Sequence, residues 1–179
     1  SLIEIADCKK DVVIPKYVSY GDRGFHVTTF GMGSVVFTND ASSVVESITI
    51  PKTTSVINKN ALAGCPNLKT VVVDSENPYY DSRENCNAII TTSQNPYFTP
   101  NTLIAGCKTT IIPNSVVEIG ANAFYNCQSL ETITIPNRLI VFSYPVYTFI
   151  APSQLHYFID LMKENNVDVK GKFATQITT

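Results

Sequence analysis

The feature that most constrains this chain is a repeated dipeptide. Ile-Pro occurs at Ile14-Pro15, Ile50-Pro51, Ile112-Pro113 and Ile135-Pro136, and the last two prolines stand 23 residues apart. The same step from Pro51 lands on Asp74, directly after Val71-Val72-Val73, which is an identical strand pattern without its proline. The remaining gaps, 36 and 39, are one period plus insertions of 13 and 16 residues. Self-similarity at such a period marks a stacked-repeat architecture, because one short coil cannot bury its own apolar side and needs neighbours to do so.

Within a period the register holds. Val45-x-x-Ile48-x-Ile50, Leu68-x-x-Val71-x-Val73 and Leu130-x-x-Ile133-x-Ile135 are three copies of one pattern, and Ala61-Leu62-x-x-Cys65 matches Ala123-Phe124-x-x-Cys127. Alternation over Ile133-Thr134-Ile135 predicts a short strand with Ile inward and Thr outward. Proline then ends the ladder because it lacks an N–H. Val116 and Ile119 form a second apolar pair, followed by Gly120, which is expected to take a left-handed turn, with Asn58 at the matching place. Ala123-Phe124-x-x-Cys127 predicts one helical or 3₁₀ turn that plugs the coil with its ring and thiol. Composition agrees: 18 Ile and 18 Val against 8 Leu tilt the chain toward extended structure.

The run from Ile111-Ile112-Pro113 through Ile119-Gly120 and Ala123-Phe124-Tyr125-Asn126-Cys127 to Leu130-Glu131-Thr132-Ile133-Thr134-Ile135-Pro136 resembles the BspA-like leucine-rich repeats of bacterial surface proteins. Their motif runs as a strand xIxIP, then xxVxxIG, then xxAFxxCxxL. Residues 44–73 match with Asn58 for Gly and Leu62 for Phe, and residues 12–43 match more loosely through Ile14-Pro15 and Val27-Thr28-Thr29-Phe30-Gly31. The resemblance implies a mostly β fold with short helical turns, a right-handed leucine-rich-repeat solenoid of 23-residue coils with hairpin insertions and a C-terminal cap helix. One domain over 1–179 is expected. It divides into a divergent first repeat with a hairpin (12–43), a regular repeat (44–74), a repeat with a hairpin insertion (75–112), a regular repeat (113–136) and the cap (137–179).

The insertions read as hairpins. Val18 to Val27 alternates on both sides of a Gly-bounded turn. Ala88-Ile89-Ile90-Thr91 and Leu103-Ile104-Ala105 make a second pair, with Cys86 expected opposite Cys107, where a disulfide is geometrically open but not required. Its tip, Asn95-Pro96-Tyr97-Phe98-Thr99-Pro100, holds two aromatics between prolines, both expected exposed. Tyr147 to Pro152 reads as a last strand. A helix follows from Pro152 or Ser153 to Asn165-Asn166, with Leu155, Phe158, Ile159 and Met162 as its apolar face.

Catalytic signals are weak. His26 and His156 accompany no nucleophile motif, and Gly31-Met32-Gly33 is followed by Val36 where a dinucleotide fingerprint needs its third glycine. The five cysteines (Cys8, Cys65, Cys86, Cys107, Cys127) form neither a CxxC nor an even set, so a zinc ribbon or disulfide scaffold is not expected, and Cys65 and Cys127 read as buried hydrophobes. Asp74-Ser75-Glu76-Asn77 with Asp81 and Glu84 offers oxygens for calcium without the EF-hand pattern, and reads as a solvated loop. A net charge of -2 without basic clusters argues against nucleic acid and anionic membrane surfaces. No run reaches the ~18 apolar residues of a membrane span, and Ser1-Leu2-Ile3-Glu4 lacks signal-peptide character, so the chain reads as soluble or already processed.

What remains is surface. Residues alternating with the buried ones form two outward rows, Ser47, Thr70, Thr109, Thr132, Thr148 and Thr49, Val72, Ile111, Thr134, Ile150. β-Branched residues suit strands in any case, so such rows arise without a ligand too. The expected ligand-binding residues are Thr70, Val72, Thr109, Ile111, Thr132 and Thr134 on this face, with Tyr97 and Phe98 as an aromatic anchor. The expected function is non-enzymatic recognition of a protein or glycan on host matrix or cell surface, with no cofactor, metal, nucleic acid or membrane insertion. The resemblance supplies adhesion and a secreted or cell-surface location. A spacer in a larger surface protein is the alternative, and an enzyme acting on carbohydrate stands third.

Overall fold

The structure is a computed structural model that describes residues 10–31, 44–58, 61–62, 65–124, 127, 136 and 141–142. The β-branched runs form strands of two to five residues. In chain order these are β1 (Asp11–Val13), β2 (Tyr17–Tyr20), β3 (Arg23–His26), β4 (Thr29–Phe30), β5 (Ser47–Ile50) and β6 (Val56–Ile57). β7 (Thr70–Val73), β8 (Tyr80–Asp81), β9 (Ala88–Thr91), β10 (Thr102–Gly106), β11 (Glu118–Ile119) and β12 (Val141–Phe142) follow.

β1, β5 and β7 lie side by side in parallel. Asp11, Val12 and Val13 pair with Ser47, Ile48 and Thr49, which is an offset of 36 residues, and Ser47 to Ile50 pair with Thr70 to Val73 at an offset of 23. These are the gaps separating the sequence repeats, so equivalent residues sit at one level. Val12, Ile48 and Val71 are buried in one row and Ile50 and Val73 in the next, while their neighbours face outward. The short second strands repeat the arrangement. β4 pairs with β6 and β11 with β12, both in parallel, the latter through Glu118↔Val141 and Ile119↔Phe142 at 23 residues.

Side chains span the same interval. The Ile57 amide donates to the Tyr80 hydroxyl at 3.2 Å, and Asn77 Nδ2 donates to the Thr54 carbonyl at 2.9 Å, each across 23 residues. Buried Tyr80 thus occupies the level below Ile57 and fills it with a ring whose hydroxyl is spent on the preceding coil. The predicted plugs form as single turns. Cys65 N donates to Leu62 O and Cys127 N to Phe124 O, both at 3.1 Å, and Leu62, Cys65, Phe124 and Cys127 are buried.

Both insertions are hairpins. β2 and β3 pair antiparallel from Tyr17↔His26 to Tyr20↔Arg23, with Gly21 at φ 58° in the turn. β9 pairs antiparallel with β10 and, on its other side, with β8. The pairing starts as Leu103↔Ile90, yet beyond Ile104 it becomes Ala105↔Ile89 and Gly106↔Ala88. Ile104 is an extra residue on β10, a bulge. The expected facing of Cys86 and Cys107 is therefore wrong by one residue. The Leu103↔Ile90 register would have continued to it, but the bulge brings Cys107 against Asn87, whose carbonyl accepts from its sulfur at 3.4 Å. Cys65, Cys86, Cys107 and Cys127 are all free thiols.

Two further expectations change. Gly120 and Asn58 do not adopt positive φ; Asn122 does, at 61°, two residues after Gly120. Gly120 is needed for approach instead, because a Cβ there would sit 3.2 Å from the Leu103 carbonyl oxygen, to which the Gly120 amide donates at 2.8 Å. The segment Ile111-Ile112-Pro113 is not a strand. Its insertion ends in a turn closed by Thr110 N to Cys107 O, and Ile111 N donates to Cys86 O at 3.0 Å, so β7 gains no parallel neighbour on that side. The predicted strand at Tyr147 to Pro152, the cap helix, and Leu130, Ile133 and Ile135 lie outside the described residues.

Candidate ligand-binding surface

Parallel pairing in register puts partners on one face. Outward from β1, β5 and β7 stand two rows, Asp11, Ser47, Thr70 and Val13, Thr49, Val72. Thr109 and Ile111 are exposed as well, and the Thr109 hydroxyl donates to the Lys69 carbonyl, which places this segment beside β7 although no strand forms. The apolar members are open to solvent: Val13 is 69% exposed, Val72 43% and Ile111 71%. Thr70, Val72, Thr109 and Ile111 are thus brought to one side; Thr132 and Thr134 lie outside the described residues. Val13 belongs to the same row and was missed, although its place two residues before Pro15 matches Thr49 before Pro51.

Ion pairs border the rows. Lys10 and Lys69 flank Glu46 at 3.3 and 3.1 Å, one residue before the outward positions Asp11, Ser47 and Thr70. Glu46 is held below the usual carboxylate range by its bond from Lys69 first and Lys10 second. At the other end, Lys16 pairs with Asp74 at 3.3 Å and Lys52 with Glu76. Asp74 is lowered by the Glu76 amide more than by Lys16, and Lys52 is raised by Glu76. The second border pairs its charges one to one, whereas the first sets two lysines against one glutamate; between them runs a strip of hydroxyl and aliphatic groups with Asp11 at its β1 end.

The tip of the second insertion divides. Tyr97 is 66% exposed, but Phe98 is half-buried against the core, so the expectation of two exposed aromatics is corrected to one. The cause is Asn95. Its buried side chain accepts from the Tyr97 and Phe98 amides at 2.9 and 3.1 Å and donates to the Tyr79 carbonyl at 3.2 Å, folding the loop back. Asn77 does the same for Tyr79 and Tyr80 at 2.9 and 3.0 Å. The duplicated Asn-Pro-Tyr at Asn77-Pro78-Tyr79 and Asn95-Pro96-Tyr97 was a signal for this in the sequence. Thr91 adds to the rigidity: its hydroxyl donates to Thr99 O at 2.7 Å and accepts from Thr102 N at 2.9 Å. Tyr97 therefore stands on a fixed loop. The first hairpin presents Tyr17, Tyr20 and Phe25, all exposed, with the Tyr17 and His26 rings 4.4 Å apart.

The acidic stretch is already engaged. Arg83 grips both Asp81 oxygens at 2.8 and 2.7 Å and reaches Asn101 Oδ1 at 2.7 Å; its guanidinium is raised chiefly by Asp81. Among the described residues no group of three or more His, Cys, Asp or Glu side chains is placed to hold a metal ion, and no helix is long and apolar enough to cross a membrane. Burial pushes the Cys86 thiol up to about 11 and the Cys127 thiol to about 12, so neither is an activated nucleophile.

Short parallel strands paired in register at the offsets of the sequence repeats, with alternate residues inside, define a repeat protein of the leucine-rich type. The chain belongs to the BspA-type leucine-rich repeat family, whose model matches residues 30–97 and 101–158 in six copies. No curated protein matches it. Among solved structures it is similar to a leucine-rich repeat protein from Eubacterium ventriosum, with 22% identity and a TM-score of 0.46 over 64% of this chain and 30% of that one. It is also similar to a leucine rich cell surface protein from Faecalibacterium prausnitzii, with 20% identity and a TM-score of 0.42 over 83% of this chain and 41% of that one. The chain thus spans well under half the length of either.

Proposed function

We propose that this chain is a non-enzymatic recognition module that works outside the cell, at a bacterial surface, and binds a protein or glycan of host matrix or cell surface. The observation that carries the reading is the outward face beside β1, β5 and β7, where Val13, Val72 and Ile111 stand in solvent while the residues next to them in the chain are buried. Val13 and Val72 at one level with Thr49 between them, and Thr70, Thr109 and Ile111 on the same side, suit a partner that lies along the face. Tyr97 on its fixed tip supplies an anchor with little ordering left to do. Family membership supports display at the surface and protein contact. The finer architecture belongs to the same proposal: a right-handed solenoid of 23-residue coils, divided at 12–43, 44–74, 75–112 and 113–136, with Thr132 and Thr134 extending the face and a helix in 137–179 closing it.

The test is binding of the folded chain to arrays of matrix proteins and of glycans, alongside Val72→Ser/Ile111→Ser and Tyr97→Ala. Binding to one class that both variants weaken about tenfold or more is the expected outcome, as loss of hot-spot contacts of ~1.4 kcal/mol or more gives. Binding that neither variant alters assigns the ligand elsewhere. No binding to any array member favours a spacer domain.

A further inference from the structure

The bulge at Ile104 turns Cys107 away from Cys86, and the residue before it, Gly106, is bonded to the repeat that follows. The Gly106 amide donates to the Ala123 carbonyl at 2.7 Å, and the Cys127 sulfur donates to the Gly106 carbonyl at 3.6 Å. That oxygen is about 2.8 Å from the next Cα in a trans peptide, so from the 3.6 Å contact the Cys127 sulfur lies within roughly 6.5 Å of Cys107 Cα. The two thiols also feel each other electrostatically: after burial, Cys107 is the next cause raising Cys127. Both side chains are buried, and each sulfur is held by a backbone carbonyl, Asn87 for one and Gly106 for the other. A staple requires rotation about both χ1 angles, which gives up the Cys127 bond and the contacts of the Cys107 sulfur with Asn87 O and the Thr109 and Thr110 hydroxyls. The alternatives are poorer. Cys86 bonds the Ala88 carbonyl of its own segment, and the Cys65 amide closes its own turn on Leu62 ahead of β7.

We infer that Cys107 and Cys127 form a latent disulfide staple, free in a reducing medium and closed under an oxidising poise, joining the inserted hairpin to the next repeat. The oxidant is a disulfide of the glutathione class. One protein thiolate attacks a sulfur of that disulfide, forming a mixed disulfide and releasing one small thiolate. Cys127, which burial keeps as the thiol, then passes its proton to a small thiolate as its sulfur attacks the mixed disulfide at the Cys107 sulfur and releases the other small thiolate. The two protein protons end on the two small thiols, so the protein loses two electrons and the oxidant gains them. Tying two coils restricts the unfolded chain and adds to the stability of a junction otherwise held by backbone bonds.

The test uses the whole folded chain, incubated with glutathione disulfide, alkylated and mapped by mass spectrometry without reduction. The expected product has lost two hydrogens, carries no glutathione, yields one cross-linked pair of peptides containing Cys107 and Cys127, and leaves Cys8, Cys65 and Cys86 alkylated. Cys86→Ser keeps the link; Cys107→Ser abolishes it and leaves Cys127 alkylated. The oxidised chain melts higher than the reduced one. A link between any other cysteines, stable glutathionylation in its place, thiols that all remain free, or a melting point that does not rise overturns the inference.

Discussion

Asn77 is a buried polar side chain with four hydrogen bonds. It donates through Nδ2 to the carbonyls of Pro51 and Thr54, both at 2.9 Å, and accepts through Oδ1 from the amides of Tyr79 and Tyr80. One residue thereby closes its own turn and ties it to the coil before. Asn77→Ala removes four hydrogen bonds and orphans buried carbonyls. At a net ~1 kcal/mol for each bond the loss comes to about 3–5 kcal/mol. A chain of this size shifts its melting point by about 2–4 °C per kcal/mol, so the variant is expected to melt roughly 10 °C lower in calorimetry.

Asn77→Asp separates the bonds from mere packing. An oxygen replaces Nδ2 and faces two carbonyls, so the carboxylate is repelled and the protonated acid favoured. The folded-state pKa then stands above the unfolded value. Stability from that proton is fully present below the unfolded pKa of about 3.9 and is lost as pH rises through the folded pKa. The deficit of Asn77→Asp relative to the parent should therefore widen from about pH 4 to about pH 7. A deficit that stays constant over that range, or an alanine variant within about 1 kcal/mol of the parent, would refute the argument.

Three further outcomes follow from the packing. Thr54 Oγ1 is the buried side-chain oxygen without a hydrogen-bond partner among the described residues, so Thr54→Val should be neutral or stabilising by up to ~1 kcal/mol in urea melts. Phe98→Ala should destabilise by about 1–3 kcal/mol because its half-buried ring packs on the core, whereas Tyr97→Ala should leave the melting point within about 1 °C. Glu46 and Asp74 have lowered folded-state values, so their contribution is present above the unfolded pKa and lost as pH falls through the folded one. Melting points should fall below about pH 4, and more gently in the double variant Glu46→Gln/Asp74→Asn, which lacks these groups.

Much of the fold could be read because its cause is periodic. Recurrence of Ile-Pro and of the paired apolar positions, one period apart or one period plus an insertion, demands that like residues meet like residues, and β1, β5 and β7 pair at those offsets. The outward rows were readable for the same reason, since alternation along a strand leaves no other face for Thr70 and Val72. Phe98 was misjudged because exposure of a loop residue depends on where the loop folds, and Asn95 folds it back.

The sequence by itself determined the repeat, its register, the residues that point inward and the two hairpins, because these follow from local alternation and from matching heights in successive coils. Only the tertiary structure decided that Ile104 bulges, that Cys107 faces Asn87, that Gly120 serves a close approach and that Asn77 and Asn95 are buried anchors. Each of these depends on a contact between segments far apart in the chain, and the composition of one segment says nothing about the carbonyl or ring it will meet in the next.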